Sequence, residues 1–305
     1  MFPHSSSNLQ PSLSFTQTQM AKMSIFLNYL KQLKPLLTEN FTQHQNSTNK
    51  IIRNVAQRPD FLLPFRQKAP TILRALQTIY SQHERLCKPE GFWNVLNYRG
   101  VFYGSPYALS DDRQWHNNLN EWKRLYESST KTKKGDKAKY YVNIGAYGLS
   151  NPGRSITCIT SYWNERHRWT SFLQQSPTVT ELYEFLSATQ QIAGKNVKIF
   201  TNIGPLTALL ICGDLIEAGI FPMPSIQEWA SLIYCVNKGA SKGLSKLNLI
   251  HDTYTKSQLT EAFQTLHNFL LEHLSQDEQI MMGYNIVMLE HALCKFTRIL
   301  PKERR

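Results

Sequence analysis

The 305-residue chain contains no run approaching the roughly 18 consecutive apolar residues of a membrane span, which excludes a bilayer-crossing helix. Its five cysteines, Cys87, Cys158, Cys212, Cys235 and Cys294, are odd in number and lack C-x-x-C spacing. Most have apolar neighbours, so they read as buried thiols of a reducing compartment. Nine dispersed histidines offer no spacing for a protein-built metal site, so none is expected. A Walker loop, a dinucleotide fingerprint, an H-E-x-x-H helix and a nucleophile elbow are all missing, and no nucleotide or other cofactor is expected. The first twenty residues lack both a basic n-region and a continuous apolar core, so they are no secretory signal and a cytoplasmic protein is expected.

What the chain does have is positive charge. Thirty-four Lys and Arg against 22 Asp and Glu leave a net charge of +12, an excess that points to a polyanionic partner, nucleic acid first. With 41% hydrophobic and 18% charged residues it is an ordinary globular chain, long enough for one large core or two smaller ones.

Residues 1–22, rich in Ser, Gln and Thr, read as a loose tail, followed by two regions, 23–160 and 161–305, of one globular unit. Apolar positions at spacings of three and four predict a helix over residues 24–37, and further helices over 51–55 and 71–82. Residues 91–107, GFWNVLNYRGVFYGSPY, form either a short buried hairpin or the wall of a pocket, with Trp93, Tyr98, Phe102 and Tyr103 as flat surfaces for a base. The lysine-rich run 131–139 reads as a solvated loop or a phosphate-contacting arm. Residues 140–159, with the small residues Gly145, Ala146, Gly148 and Gly153, suit extended chain and tight turns. In residues 161–172, Arg166, His167 and Arg168 lie between Trp163 and Trp169; this is either an amphipathic helix or a surface holding phosphate and stacked base. Four S/T-x-x-E/Q capping boxes, beginning at Thr178, Ser225, Thr255 and Ser275, predict an all-α C-terminal half.

Residues 199–247 organise the rest. Pro205 at a first helical position opens a helix to about Glu217 that is apolar nearly all round, except for Thr207 and Asp214, seven residues apart on one face. A carboxylate there is either ion-paired or an active-site acid.

Three segments then resemble, in order, the blocks of a known family. They are Ile203-Gly204-Pro205-Leu206-Thr207-Ala208 with Gly213-Asp214-Leu215, then Asn237-Lys238-Gly239-Ala240-Ser241-Lys242-Gly243-Leu244, then Glu290-His291-Ala292-Leu293-Cys294-Lys295-Phe296. The family is that of the α-glutamyl/putrescinyl thymine pyrophosphorylases, similar to helix-hairpin-helix DNA glycosylases and with a branch similar to anti-phage glycosylases. The resemblance covers roughly residues 197–298.

It implies a mostly α, helix-hairpin-helix glycosylase-like fold with a small irregular or β insertion. The partner implied is double-stranded DNA with modified bases, and the activity is excision of a bulky modified pyrimidine such as glucosylated hydroxymethylcytosine by base flipping, as antiviral defence. The alternatives are a transferase that displaces pyrophosphate from an activated base with an amino acid or polyamine, and a non-catalytic DNA-binding module. Asp214, then Glu290, are the implied catalytic carboxylates. Asn202, Gly204, Thr207, Lys238, Gly239, Ser241, Lys242, Arg166 and Arg168 are expected on DNA, and Tyr98, Phe102, Tyr103 and Trp163 around the base. Two departures matter: this chain has Asn237-Lys238-Gly239 where the family shows G-P-G, and Leu206 stands where a G-x-K-T-A motif carries its lysine. The second leads to the expectation of a monofunctional enzyme without lyase activity. The aspartate of that motif's enzymes falls near Pro224 here, so the acid comes from elsewhere.

Overall fold

Apolar residues at helical spacing, cut by proline and capped by Ser, Thr and Asn, dictate a mostly helical chain, and the computed structural model, which describes residues 16–38, 40–130, 137–148 and 150–299, has that form. Numbering helices of eight residues or more, α1 is Gln17–Gln32, α2 Lys50–Gln57, α3 Pro70–Thr78, α4 Pro89–Asn97, α5 Leu119–Ser128 and α6 Thr157–Glu165. Then follow α7 Val179–Ser187, α8 Pro205–Glu217, α9 Ile226–Val236, α10 Gly239–Lys246, α11 Lys256–His273 and α12 Ile286–Ile299. Shorter helical turns join them. Among the described residues the one sheet is the antiparallel pair β1 (Thr189–Ile192) and β2 (Lys195–Lys198), with Thr189 opposite Lys198.

Local chemistry explains most boundaries. The boxes at Thr178, Thr255 and Ser275 all form, and Thr16 with Gln19 adds another that starts α1 at Gln17, inside the stretch read as a tail. Ser225 caps α9, but the Glu228 carboxylate reaches across to the Thr180 N–H at 2.9 Å, tying α9 to the start of α7. Residues 1–15 and residues 131–136 of the lysine run lie outside the described residues.

One local reading is corrected. Residues 91–107 form no hairpin: α4 continues into one wide turn over Tyr98–Phe102, where the Tyr103 N–H donates to the Tyr98 carbonyl five residues back at 2.7 Å. The aromatic side chains are buried on several faces, and that burial favours helix here. Residues 140–159 hold the tight turns read there, with helix at the two ends, and among the described residues the β-structure sits at 189–198. Its turn, Ala193-Gly194, has both residues at positive φ, 49° and 75°, as a two-residue hairpin loop of right-handed twist requires.

The long C-terminal helices carry the site. α8 is buried nearly all round, as its composition predicts. α10 lies against α12 because Gly239 and Gly243, four apart on one face, leave no room for side chains. A Cβ at 239 would stand 1.8 Å from the Cys294 Sγ, and one at 243 would stand 2.9 Å from Leu293. Gly239→Ala is therefore expected to destabilise the fold by about 1–3 kcal/mol, with Cys294→Ala recovering part of the loss in a thermal melt of the double variant. No helix among the described residues is long and apolar enough to cross a membrane.

Candidate functional site

Three stretches far apart in sequence enclose one open groove of about 800 Å³. They are the loop around Asn151 and Arg154, the entry to α8 at residues 202–207, and the α9–α10 turn with Asn237, Lys238, Gly239 and Lys242. Cys294 and Arg298 of α12 close one side. The charged residues lining it are Arg154, Lys198, Lys238, Lys242 and Arg298, with no carboxylate among the described residues. Such a surface selects an anion. Arg154 is 3% exposed, lies 4.6 Å over the Tyr147 ring and forms no ion pair among the described residues.

Backbone geometry adds to this charge. Gly204 precedes α8 and Lys238 precedes α10 at the cap positions, and neither has a side chain capping the helix's first N–H groups. In α1, α2, α5, α7, α9 and α11 a Ser, Thr or Asn side chain takes that role, while α3, α4 and α6 are uncapped as well but do not open onto the groove. Two free helix N-termini, with the positive ends of their dipoles, thus face the groove. The tight two-helix hairpin is the α9–α10 turn, with Asn237 at a φ of 45°. Residues 202–207 form instead a loop into a single helix. There Asn202 (φ 68°) is held by its side-chain bonds to the Gly100 carbonyl, 3.2 Å, and to Asn151, 2.5 Å.

A small cavity of about 60 Å³ adjoins the groove and shares with it Tyr147, Leu206, Cys294 and Arg298. Glu290 lines it. This carboxyl is 5% exposed, accepts a long contact from the Cys294 Sγ at 3.4 Å, and forms no ion pair among the described residues. Burial raises its pKa above the ordinary glutamate value, against the weaker pull of Arg66, Lys295 and Arg298. One residue on, His291 holds the Leu63 carbonyl at 3.2 Å, and burial keeps the ring neutral by lowering its pKa well below the usual value. Lys295 also lines the cavity, its ammonium donating to the Asp60 carbonyl at 2.8 Å.

Asp214 has a different fate from the one expected. It is 1% exposed, and both of its oxygens are taken: the Arg66 Nη2 stands 2.5 Å away, the Arg99 Nη2 2.6 Å and the Tyr80 hydroxyl 2.6 Å, with the Arg99 Nε adding a further bond. Burial pushes its pKa up, but Arg99 and Arg66 overcome this and hold the carboxyl below the ordinary range. Arg66 in turn pairs with Glu217, one turn along α8. The wide turn at Tyr98–Phe102 is what carries Arg99 into this cluster, while Tyr103 stacks on Tyr147 and lines the cavity. A carboxylate so enclosed clamps α8 to its neighbours and has no free lone pair for a substrate.

The other expected residues divide. Asn202, Gly204, Thr207, Lys238, Gly239 and Lys242 all line the groove, and Tyr103 lines the cavity. Ser241 is buried and borders a separate recess with Lys246 and Tyr254. Tyr98 is buried, donating to the Thr71 carbonyl at 2.6 Å, and Phe102 packs on Tyr107 and Trp122, so neither faces a base. Trp163 stands edge-on to Trp93 and is covered by Arg166, 3.5 Å above its ring. Arg168 pairs with Glu165 at 2.5 Å. Arg166 lies in the turn after α6 and Arg168 opens the short helix Arg168–Leu173; neither lines groove or cavity.

Sequence reasoning missed Arg154, Arg298, Tyr147, His291 and Lys295. A signal existed for α12: Glu290, Cys294 and Arg298 fall four apart, as do His291 and Lys295, which places two neighbouring polar stripes on one helix face. Arg154 and Tyr147 come from a turn-rich loop with no periodicity to read. Compared with known proteins, the chain matches no family model, no curated protein and no solved structure.

Proposed function

We propose that the protein is a DNA glycosylase that grips a phosphate backbone in the cationic groove and cuts the glycosidic bond of a bulky modified pyrimidine, leaving an abasic site. The observation that carries this reading is the buried Glu290 carboxyl, without an ion pair among the described residues, beneath a groove that those residues line with five cations and no acid. Phosphates need cations and free N–H groups, which the groove supplies without reading sequence. A base must leave the stack before its sugar can be reached, and a groove of about 800 Å³ has room for the base and its substituent. The cavity is far smaller, and fits atoms of the sugar instead. As the bond breaks the sugar becomes electron-poor; a carboxylate shielded from water opposes that charge strongly and takes a proton from the attacking water.

The bulky pyrimidine and the antiviral setting follow from the resemblance to modified-base enzymes. The test is incubation of the purified protein with unmodified DNA and with several modified phage genomes, followed by assays for free base and abasic sites. Release confined to one class of modification is expected; no release from any of them removes the assignment. Replacing Lys238 and Lys242 together by Ala is expected to lower the slope of log affinity against log salt by about 2 for a duplex of any sequence. An unchanged slope would place the phosphates elsewhere.

A further inference from the structure

The Lys295 side chain is used by nothing described so far. It is 5% exposed on α12, one turn after His291, and among the described residues its nitrogen has one hydrogen-bond partner, the Asp60 main-chain carbonyl. No carboxylate pairs with it among the described residues. It shares the cavity with Glu290, His291, Arg99, Arg298, Tyr103 and Asp60, and Asp60 has one carboxylate oxygen committed to the Thr71 N–H at 2.8 Å. A buried ammonium without a counter-ion is costly, which is a reason to expect function from it.

We infer that Lys295 is a nucleophile for aldehydes in this cavity, forming a Schiff base with the C1′ of an abasic deoxyribose and giving the protein strand-cleaving lyase chemistry. The inference rests on the DNA reading above, and it reverses the expectation drawn from Leu206: the cavity that Leu206 lines receives an amine from α12 instead. Burial, with Arg298 adding to it, lowers the pKa of this lysine to about 7, so a large fraction of the amine is unprotonated near neutral pH. An abasic site in its open form carries a C1′ aldehyde. The Lys295 nitrogen adds to C1′, and loss of water leaves an iminium. The Glu290 carboxylate then takes a C2′ proton, the electron pair of that C–H bond forms the C2′–C3′ double bond, and the C3′–O bond breaks to release the 3′ phosphate. Water hydrolyses the iminium, returning the free amine and an unsaturated aldehyde at the cut end. No oxidant or reductant takes part.

The experiment uses the full chain and a duplex carrying a single preformed abasic site, with sodium borohydride present to reduce an iminium to a stable amine. A covalent protein–DNA adduct is expected on a denaturing gel, with the modified peptide mapping to Lys295 by mass spectrometry. Without borohydride, cleavage 3′ to the abasic site is expected. Lys295→Arg, its fold checked by thermal melting, is expected to lose at least 100-fold in adduct and in cleavage. Absence of an adduct, mapping to another lysine, or full trapping by Lys295→Arg overturns the inference. Because the abasic site is supplied, this result is independent of base removal: base release from modified DNA without any adduct would leave the glycosylase reading standing and discard the amine. An adduct without base release would do the reverse.

Discussion

Glu290→Gln is expected to release modified base at least about 10²-fold more slowly than the wild type under single-turnover conditions, the range by which positioned acid–base and charge-stabilising groups act. The amide keeps the volume and hydrogen-bonding reach of the side chain but can neither oppose a cationic sugar nor accept the proton of water. The same substitution is expected to leave melting unchanged or raise it at neutral pH. The sign follows from burial. The folded-state pKa of Glu290 lies above its unfolded value, so the stability associated with the protonated carboxyl is complete below the unfolded pKa and is lost as pH rises through the folded one. At neutral pH the wild type therefore carries a penalty that glutamine removes. Activity that needs the ionised carboxylate should correspondingly fall off on the acid side at a higher pH than an ordinary glutamate would give. Wild-type rates from Glu290→Gln would remove the carboxylate from the chemistry.

Asp214→Ala should act on stability instead, by about 3–5 kcal/mol, the cost of leaving buried charges without their partner. Arg99 would lose its one carboxylate, and Arg66 would keep only Glu217. Here the pH dependence has the opposite sense. The folded pKa of Asp214 is depressed, so its contribution is present above the unfolded value and is lost as pH falls through the folded one; the gap between variant and wild type should narrow in acid. Urea midpoints at neutral and acidic pH measure both effects. A loss below about 1 kcal/mol would mean that the cluster is a weak clamp, within the range of exposed ion pairs.

These two carboxylates also show what the sequence can and cannot convey. Asp214 and Glu290 are both acids on apolar helices, and local pattern does not separate them. The difference comes from Arg66 and Arg99, 148 and 115 residues away in sequence, brought in by a short helical turn and by the wide turn at Tyr98–Phe102. Helix starts were legible wherever a side chain caps its own helix, as at Thr178, Thr255 and Ser275. The near-total burial of Pro205–Glu217 could be read from its residues alone. The segment around Trp93 and Tyr98 was misread because glycine and aromatics have weak local helix preference, and packing on all sides overrode it. The β-hairpin was missed because Ala193 occupies a positive-φ position where asparagine is the usual signal. Of the site, the glycine-spaced lysines and the entry to α8 were visible, since turns and charges are local. The cavity was not, because α12 meets the loop bearing Tyr147 only in three dimensions.

The central claim is that Glu290 faces a sugar acquiring positive charge, and a charged mimic of that sugar tests it without any knowledge of the natural base. Affinity should be measured for two duplexes, one carrying a cationic pyrrolidine in place of a single deoxyribose and the other the uncharged tetrahydrofuran. The pyrrolidine duplex is expected to bind at least about 10²-fold more tightly to the wild type, as transition-state mimics do, with the preference abolished in Glu290→Gln. Equal affinity for the two duplexes, or a preference that survives in Glu290→Gln, would contradict it.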